Sequence, residues 1–330
     1  MDSLTVQIIR GNEIESVHTV DAIVTNNDGK IHYEFGQAGS SIFPRSAIKS
    51  LQALPIFHTG ADQKFNLDQQ EIALACASHT GQKIHVDKVN MWLKRMGLSV
   101  LNLECGNHMP YDKSAHEKMI LSKEIATPLH NNCSGKHTGM LSVALQLNAP
   151  TKNYTHFEHP VQQLVLNTIK EICDLNDYKN NYGIDGCSIP TYYMPLKNLA
   201  LGMARIGAGF NGQLVKSSAC SKIFQACVNE PMYMSGETEY CYRIMKHLGK
   251  KVLVKVGAEG VMAATVPDQK LGIILKARDG AERAASAGMS AILEHLGVLA
   301  KNSEFSEYEI KNRNGIVTGK VKASISSPIA

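Results

Sequence analysis

The hydrophobic pattern of the chain changes its period twice, and this limits the folds that the chain can adopt. Near both ends, β-branched side chains are frequent and apolar residues partly alternate with polar ones. This pattern predicts strands at residues 4–10, 13–26, 30–35, 251–256, 260–266 and 271–277. Their turn signals indicate antiparallel pairing.

Between these strands, most segments show the 3.6-residue spacing of helices. The predicted helices are 67–78, 86–97, 115–124, 135–147, 160–173, 196–207, 217–228 and 236–248, followed by a last helix at 280–297 and a strand at 315–321. This order predicts an α+β fold, in which one antiparallel sheet from the N- and C-terminal segments packs against a mainly helical middle lobe. We expect a single domain over residues 1–330, with a sheet lobe at about 4–35 and 251–300 and a helical lobe at about 46–250. The segment from Lys301 receives no role.

Composition excludes several classes of protein. The chain has 34 basic and 30 acidic residues without a basic block, which argues against a nucleic acid or an anionic membrane as partner. Its start lacks the pattern of a signal peptide, and no stretch offers 18 consecutive apolar residues. The eight cysteines are dispersed, which favours reduced thiols. We therefore expect a cytoplasmic protein.

Ser46 and Lys49 stand three positions apart at a predicted helix start, with Pro44 at its entrance and Pro55 at its end. The unpaired N–H groups and the dipole of a helix start favour negative charge there. Serine needs a neighbouring base, and a lysine held neutral by burial or by a second cation can remove its proton. The spacing also fits a capping serine followed by a solvated lysine.

Ser78 and Lys255 repeat the same two residue types. We expect Ser78 in the last turn of a helix that ends at Gly81, either as a close-packing residue or as a second active-site hydroxyl. Lys255 lies in an apolar strand, where alternation makes it an outward lysine. It also fits the K-x-G element of penicillin-recognising enzymes, in which it would lower the pKa of Lys49 by like-charge repulsion.

Three loops, at residues 105–110, 129–140 and 182–190, concentrate polar side chains. Such loops are costly unless they are exposed or line a polar site, so we expect them to form the walls of a substrate pocket. Cys133 and Cys187 lie in two of them, but neither belongs to a C-x-x-C pair. Spacing therefore leaves open two inert thiols or a metal site.

Six motifs occur together and in order: Phe43-Pro44-Arg45-Ser46-x-x-Lys49, Ala75-Cys76-Ala77-Ser78-His79-Thr80-Gly81, Cys105-Gly106-x-His108, Asn131-Asn132-Cys133-Ser134-Gly135-Lys136-His137, Gly183-Ile184-Asp185-Gly186-Cys187 and Gly257-Ala258-Glu259-Gly260. In this combination the chain resembles the Rhizobium etli-type L-asparaginases, the bacterial asparaginase II family that is distinct from the threonine-nucleophile enzymes. The resemblance covers about residues 4–300. It implies a serine β-lactamase-like and glutaminase-like fold, a homodimer, and the hydrolysis of L-asparagine to L-aspartate and ammonia.

The resemblance also implies roles for individual residues. They fall into a catalytic group (Ser46, Lys49, Ser78 and Lys255), a substrate-binding group (Arg45, Asn131, His137 and Asp185) and a zinc site (Cys133, Lys136 and Cys187). Neutral Lys49 would remove the proton of Ser46, which attacks the side-chain amide to form a β-aspartyl ester, while Ser78 and Lys255 relay a proton to the ammonia. We assign zinc a structural or positioning role.

Three alternatives remain open. A β-lactamase or penicillin-binding protein would share these Ser-Lys elements, but such enzymes work outside the cytoplasm. A serine-dependent glutaminase differs in its substrate by one methylene, which a pocket discriminates by only ~1–3 kcal/mol. The third alternative is a non-catalytic, zinc-stabilised ligand-binding module.

Overall fold

The computed structural model describes residues 2–175 and 181–326 and contains strands, α-helices and short 3₁₀ turns. The strands are β1 (Ser3–Arg10), β2 (Glu13–Asn26), β3 (Ile31–Phe35), β4 (Ser41–Ile42), β5 (Tyr182–Ile184), β6 (Pro190–Tyr192), β7 (Met194–Pro195), β8 (Leu253–Gly257), β9 (Val261–Val266), β10 (Leu271–Ala277), β11 (Glu307–Lys311) and β12 (Val317–Ser326). The α-helices are α1 (Lys49–Gln52), α2 (Leu54–His58), α3 (Ala61–Lys64), α4 (Gln69–Ala75), α5 (Lys83–Arg95), α6 (Lys113–Ser122), α7 (Ser134–Gln146), α8 (Pro160–Ile172), α9 (Leu196–Ala208), α10 (Ser217–Asn229), α11 (Pro231–Met234), α12 (Tyr240–Leu248) and α13 (Glu282–His295).

One eight-stranded antiparallel sheet joins the two ends of the chain. Its order is β11-β12-β1-β2-β10-β9-β8, and β3 pairs with β2 outside this path. Segments from both ends therefore form one sheet, with a mainly helical segment between them, which confirms the predicted α+β fold. The sheet extends past the predicted boundary at residue 300. Its strands β11 and β12 come from the segment after Lys301, for which we predicted one strand at 315–321 and no role.

Helices α9 and α13 cover opposite faces of this sheet. Gly272 of β10 lies so close to α9 that a Cβ atom there would be 2.0 Å from the Ala200 carbonyl oxygen. Gly272 pairs with Thr25 of β2. On the same strand, the Val20 side chain packs against Gly288 of α13. Since side chains alternate along a strand, positions 20 and 25 face opposite sides. The central strands are consequently buried on both faces.

Two expectations about helix ends are wrong. Pro55 does not end the helix that follows Ser46, because it lies in the first turn of α2, where its missing N–H is not needed. The helix before Ser78 ends at Ala75 instead of continuing to Gly81. Ser78 therefore lies in a non-helical segment. Within the described residues, no helix combines the length and the apolar character that crossing a membrane requires.

Candidate active site

A cavity of about 460 Å³ opens between the end of β8 and the helical lobe. It is lined by Ser46, Ser78, Thr80, Tyr111, Asn132, Glu239, Val256, Gly257, Ala258, Glu259, Gly260, Gly280 and Glu282. Both predicted serines thus face the same cavity, although 32 positions separate them in the sequence.

Ser46 reaches the cavity because its turn packs directly against the end of β8. The turn Arg45–Ile48 is a 3₁₀ helix, and Arg45 has a left-handed φ of 52°. A Cβ atom on Gly257 would lie 2.6 Å from the Pro44 carbonyl oxygen and 3.1 Å from the Ala47 nitrogen. Only glycine therefore allows this approach, which explains the glycine two positions after Lys255.

Ser78 is held in place by the backbone on both sides. Its N–H donates to the Met234 carbonyl oxygen at 3.1 Å, and the Thr80 N–H donates to the Ser235 carbonyl oxygen at 2.9 Å. Between them, the N–H of His79 donates to the Asn132 carbonyl oxygen at 3.2 Å. These bonds fix the direction of the Ser78 side chain although no helix contains it.

The Ser78 hydroxyl bridges two buried lysines. Lys255 Nζ lies 2.8 Å from Ser78 Oγ, and Lys49 Nζ lies 3.0 Å from the same atom. The exposed fractions of Lys255 and Lys49 are 2% and 0%. Lys255 is therefore not the outward lysine that strand alternation alone indicated.

Burial, reinforced by the positive charge of Lys49, lowers the pKa of Lys255 from 10.5 to about 7. Near neutral pH this amine exists in both its charged and its neutral form. It can therefore accept a proton from a neighbouring hydroxyl and return it.

Lys49 makes three contacts around its ammonium group. It donates to the Ala77 carbonyl oxygen at 2.5 Å and to Ser78 Oγ, and it lies 3.1 Å from Cys133 Sγ. Its hydrogen bonds within the described residues do not include one to Ser46. The pairing of Lys49 with Ser46 as base and nucleophile stays a prediction.

A second cluster, beside Lys49, joins the polar loops at residues 129–140 and 182–190. Lys136 Nζ lies 2.9 Å from Cys187 Sγ, and the thiols of Cys133 and Cys187 are hydrogen-bonded. This thiol contact and the Lys136 charge lower the pKa of Cys187 to about 5, although burial opposes the shift. The same contact, together with burial, raises the pKa of Cys133 to about 12.

The donor set of this cluster fits a metal that takes nitrogen and sulfur ligands. Two thiols and one amine converge there, and sulfur and nitrogen are donor atoms that zinc takes from proteins. Among the described residues, no group of three or more His, Cys, Asp or Glu side chains could hold a metal. A metal here therefore needs Lys136 as its third ligand. Burial lowers the pKa of Lys136, but the neighbouring thiol groups outweigh it and raise this pKa, so the amine is charged until a metal displaces its proton.

The predicted substrate-binding residues occupy different positions. Arg45 and Asp185 form an ion pair, and Asp185 also lies near Cys187 at 3.8 Å. Burial acts to raise the pKa of Asp185, but Lys136 and Arg45 outweigh it and lower this pKa.

Asn131 and His137 lie outside the lining of the cavity. The Asn131 carboxamide donates to the Cys105 carbonyl oxygen at 2.8 Å and accepts from the Cys133 N–H at 2.8 Å. His137 is fully buried against Tyr154, and burial, reinforced by the Lys136 charge, lowers its pKa to about 3. Their predicted contact with substrate stays a prediction.

Sequence reasoning missed Tyr111, Asn132, Glu239 and Glu282 of the cavity lining. Asn132 stands next to the predicted Asn131, and nothing in the residue types separates the two. Tyr111 follows the Cys105-Gly106-x-His108 motif, which offered the only sequence signal near it.

The family model described as L-asparaginase II matches residues 6–323 of this chain. A comparison with the curated proteins found no match.

Three similar solved structures come from distant proteins. A beta-lactamase from Mycobacterium bovis has 13% identity and a TM-score of 0.43, over 84% of this chain and 94% of that chain. The structure of Mglu in its glutamate form has 11% identity and a TM-score of 0.39, over 86% of this chain and 62% of that chain. The octameric penicillin-binding protein homologue from Pyrococcus abyssi has 11% identity and a TM-score of 0.33, over 87% of this chain and 75% of that chain.

Proposed function

Because the chain belongs to the L-asparaginase II family, we propose that it hydrolyses L-asparagine to L-aspartate and ammonia with Ser46 as nucleophile. Family membership makes it an asparaginase-type amidohydrolase with a small-molecule substrate. The observation that carries the proposed mechanism is the Ser78 hydroxyl, which bridges two buried lysines in the cavity that Ser46 lines.

The first proposed step forms an ester. Lys49 first passes a proton through Ser78 to neutral Lys255, which leaves the Lys49 amine neutral. The Ser46 hydroxyl gives its proton to this amine, and its oxygen attacks the side-chain amide carbon of asparagine. Lys255 then gives the proton that it took up to the departing nitrogen, which leaves as ammonia. A β-aspartyl ester of Ser46 remains.

Water completes the cycle along the reverse path. The relay takes a proton from water, the hydroxyl oxygen attacks the ester, and Ser46 regains its proton as aspartate leaves. A relay of one hydroxyl between two amines suits both steps, because each amine can hold the proton in turn. The lowered pKa of Lys255, about 7, matches this task near neutral pH.

Two backbone donors are suited to stabilise the oxyanion of both intermediates. The N–H groups of Ser46 and Ala258 donate no backbone hydrogen bond within residues 2–175 and 181–326. Both residues line the cavity. Fixed donors that meet a developing negative charge supply a large part of the catalysis of acyl transfer.

We further propose that Cys133, Lys136 and Cys187 hold a zinc ion. Bound there, zinc would fix the polar loops around the cavity, without activating water. The chain's own side chains carry every proton transfer given above. Homodimerisation and a cytoplasmic location, which the resemblance and the composition imply, stay predictions; sedimentation of the purified chain tests the first.

The experiment that tests this function is ammonia release from L-asparagine and L-glutamine, measured side by side. We expect release from asparagine to exceed release from glutamine, and Ser46→Ala to lower it by about 10³-fold or more with its melting temperature unchanged. Preferential release from glutamine would identify a glutaminase instead. Release from neither amide would favour the non-catalytic ligand-binding module, and a Ser46→Ala activity within a few-fold of the parent would remove Ser46 from its role.

A further inference from the structure

His108 and Tyr111 belong to a loop to which the proposed mechanism gives no task. His108 Nε2 accepts a hydrogen bond from the Asn132 N–H at 2.9 Å, and His108 Nδ1 lies 2.7 Å from the Met109 carbonyl oxygen. A backbone N–H can only donate and a carbonyl can only accept. The His108 ring is therefore neutral with its proton on Nδ1.

The same ring supports a second residue of the cavity lining. The rings of His108 and Tyr111 are stacked, with centroids 4.5 Å apart and planes inclined by 21°. The next residue, Asp112, donates its N–H to the Thr80 carbonyl oxygen at 3.0 Å. This short stretch of loop thus holds three residues of the cavity lining, Thr80, Tyr111 and Asn132, which we call the loop wall.

Two side chains on this wall have donors that the described part of the chain leaves unused. Neither the Asn132 carboxamide nor the Tyr111 hydroxyl makes a hydrogen bond there, and both residues line the cavity. The hydroxyl of Thr80 is already engaged with Gln82.

The rest of the described cavity lining carries negative charge. Glu239, Glu259 and Glu282 line the cavity, and no cationic side chain is among its lining residues. An α-amino acid binds with an ammonium and a carboxylate group, and its carboxylate would be repelled by these glutamates. The carboxylate therefore needs neutral donors elsewhere in the lining.

We propose that Asn132 and Tyr111 bind the α-carboxylate of the substrate, and that His108 is the positioning residue for both. This inference rests on the proposed function, since it concerns how the same cavity holds its amino-acid substrate. The Nε2 acceptor orients the backbone of Asn132, and the stacked ring orients Tyr111.

Substrates with one group removed test the α-carboxylate contact. β-Alaninamide is L-asparagine without its α-carboxylate, and succinamate is L-asparagine without its α-amino group. We expect Asn132→Ala to lower kcat/KM about 10- to 100-fold for asparagine and for succinamate, mainly through KM. The effect on β-alaninamide should stay within about twofold, and Tyr111→Phe should show the same pattern more weakly. An equal loss with all three amides, or no loss, would overturn the proposal.

If the enzyme does not turn over β-alaninamide, binding affinities can replace the rates in this comparison of the three amides. Calorimetric titration of the three amides into Ser46→Ala and into Ser46→Ala/Asn132→Ala replaces the kinetic ratio by a ratio of Kd values. The matched control is Asn107→Ala, since Asn107 lies in the same loop, is exposed and bonds only to the Ala126 carbonyl oxygen. We expect it to leave kcat/KM unchanged for every substrate.

Two substitutions separate the two contacts of His108. His108→Gln keeps an acceptor for the Asn132 N–H but loses the ring, whereas His108→Phe keeps the ring but loses the acceptor. We expect His108→Phe to speed hydrogen exchange of the Asn132 amide and to lower kcat/KM for asparagine while sparing β-alaninamide. His108→Gln should retain the protection of that amide. Equal losses with all amides in His108→Phe would show a merely structural role.

Hydrogen exchange needs no substrate, so it distinguishes this inference from the proposed function. If the parent releases ammonia from no amide, the function fails, and the exchange and binding measurements still decide the roles of His108 and Asn132. Activity with unchanged Asn132 exchange in His108→Phe would overturn the positioning role alone.

Discussion

The Nζ atom of the buried Lys255 lies 2.8 Å from the Oγ atom of Ser78, which is half-buried and lines the cavity. On the other side of the same oxygen stands Lys49, at 3.0 Å. A hydroxyl between two amines can donate to one while it accepts from the other, so that a proton can cross without a water molecule. This arrangement makes Ser78 the centre of the proposed relay.

Ser78→Ala removes the bridge and leaves the nucleophile. We expect kcat to fall by about 10²- to 10⁴-fold with little change in KM, because proton transfer acts in the transition state and not in substrate binding. Ammonia release at saturating asparagine measures this. Ser122→Ala is a suitable control, since Ser122 is an exposed serine bonded to its own helix. A Ser78→Ala enzyme with parental kcat would exclude the relay.

The pH profile reports the charge of Lys255. Its lowered pKa of about 7 means that the amine is neutral above this pH and charged below it. Since the relay needs a neutral acceptor, kcat/KM for asparagine should fall by about tenfold per pH unit below the inflection and level off above it. In Lys255→Arg the group stays charged at every pH, so activity should be low and this inflection absent. An unchanged inflection in Lys255→Arg would assign it to another group.

The sequence predicted those parts of the fold that have a strong hydrophobic period. Strands 13–26 and 271–277 have the bounds that their alternation indicated, and the helix over residues 160–173 differs by one residue. The strand pair β11 and β12 had a weaker signal, because most of its residues are only half-buried at the edge of the sheet. The 315–321 prediction consequently covered only part of β12.

Residue types alone could not settle the geometry of the site. The predictions named Ser46, Ser78 and both lysines, and the fold brings them together around one cavity. Which hydroxyl each lysine contacts depends on side-chain directions that spacing does not show. The same holds for Asn131 and Asn132, since neighbouring residues in a turn point in different directions and only one of them lines the cavity.

Gly257→Ala tests how closely the Ser46 turn must approach β8. The new Cβ atom would lie 2.6 Å from the Pro44 carbonyl oxygen, so the turn must move away from the strand. A displacement near 1 Å at the nucleophile can cost about 10²-fold in rate, and we expect kcat to fall by that order. Gly39→Ala is the control, because a Cβ atom there meets nothing within 4 Å. Parental kcat in Gly257→Ala would show that the turn tolerates this shift.

Zinc binding is tested best by a measurement that does not depend on activity. We expect the purified chain to carry about one zinc ion, measured by atomic absorption, and Cys133→Ser, Cys187→Ser and Lys136→Met each to lose it. Cys220→Ser is the matched control, because Cys220 is buried in α10 and contributes nothing to the cluster.

The role of the metal follows from a second comparison with the same proteins. If zinc fixes the loops, its removal by a chelator should lower the melting temperature of the parent but not that of Cys187→Ser, which is already metal-free. Lost activity with an unchanged melting temperature would instead give the ion a place in substrate positioning. Zinc retained by Lys136→Met would exclude the amine as a ligand. Beside Cys133 and Cys187, the site would then need a ligand from outside this cluster.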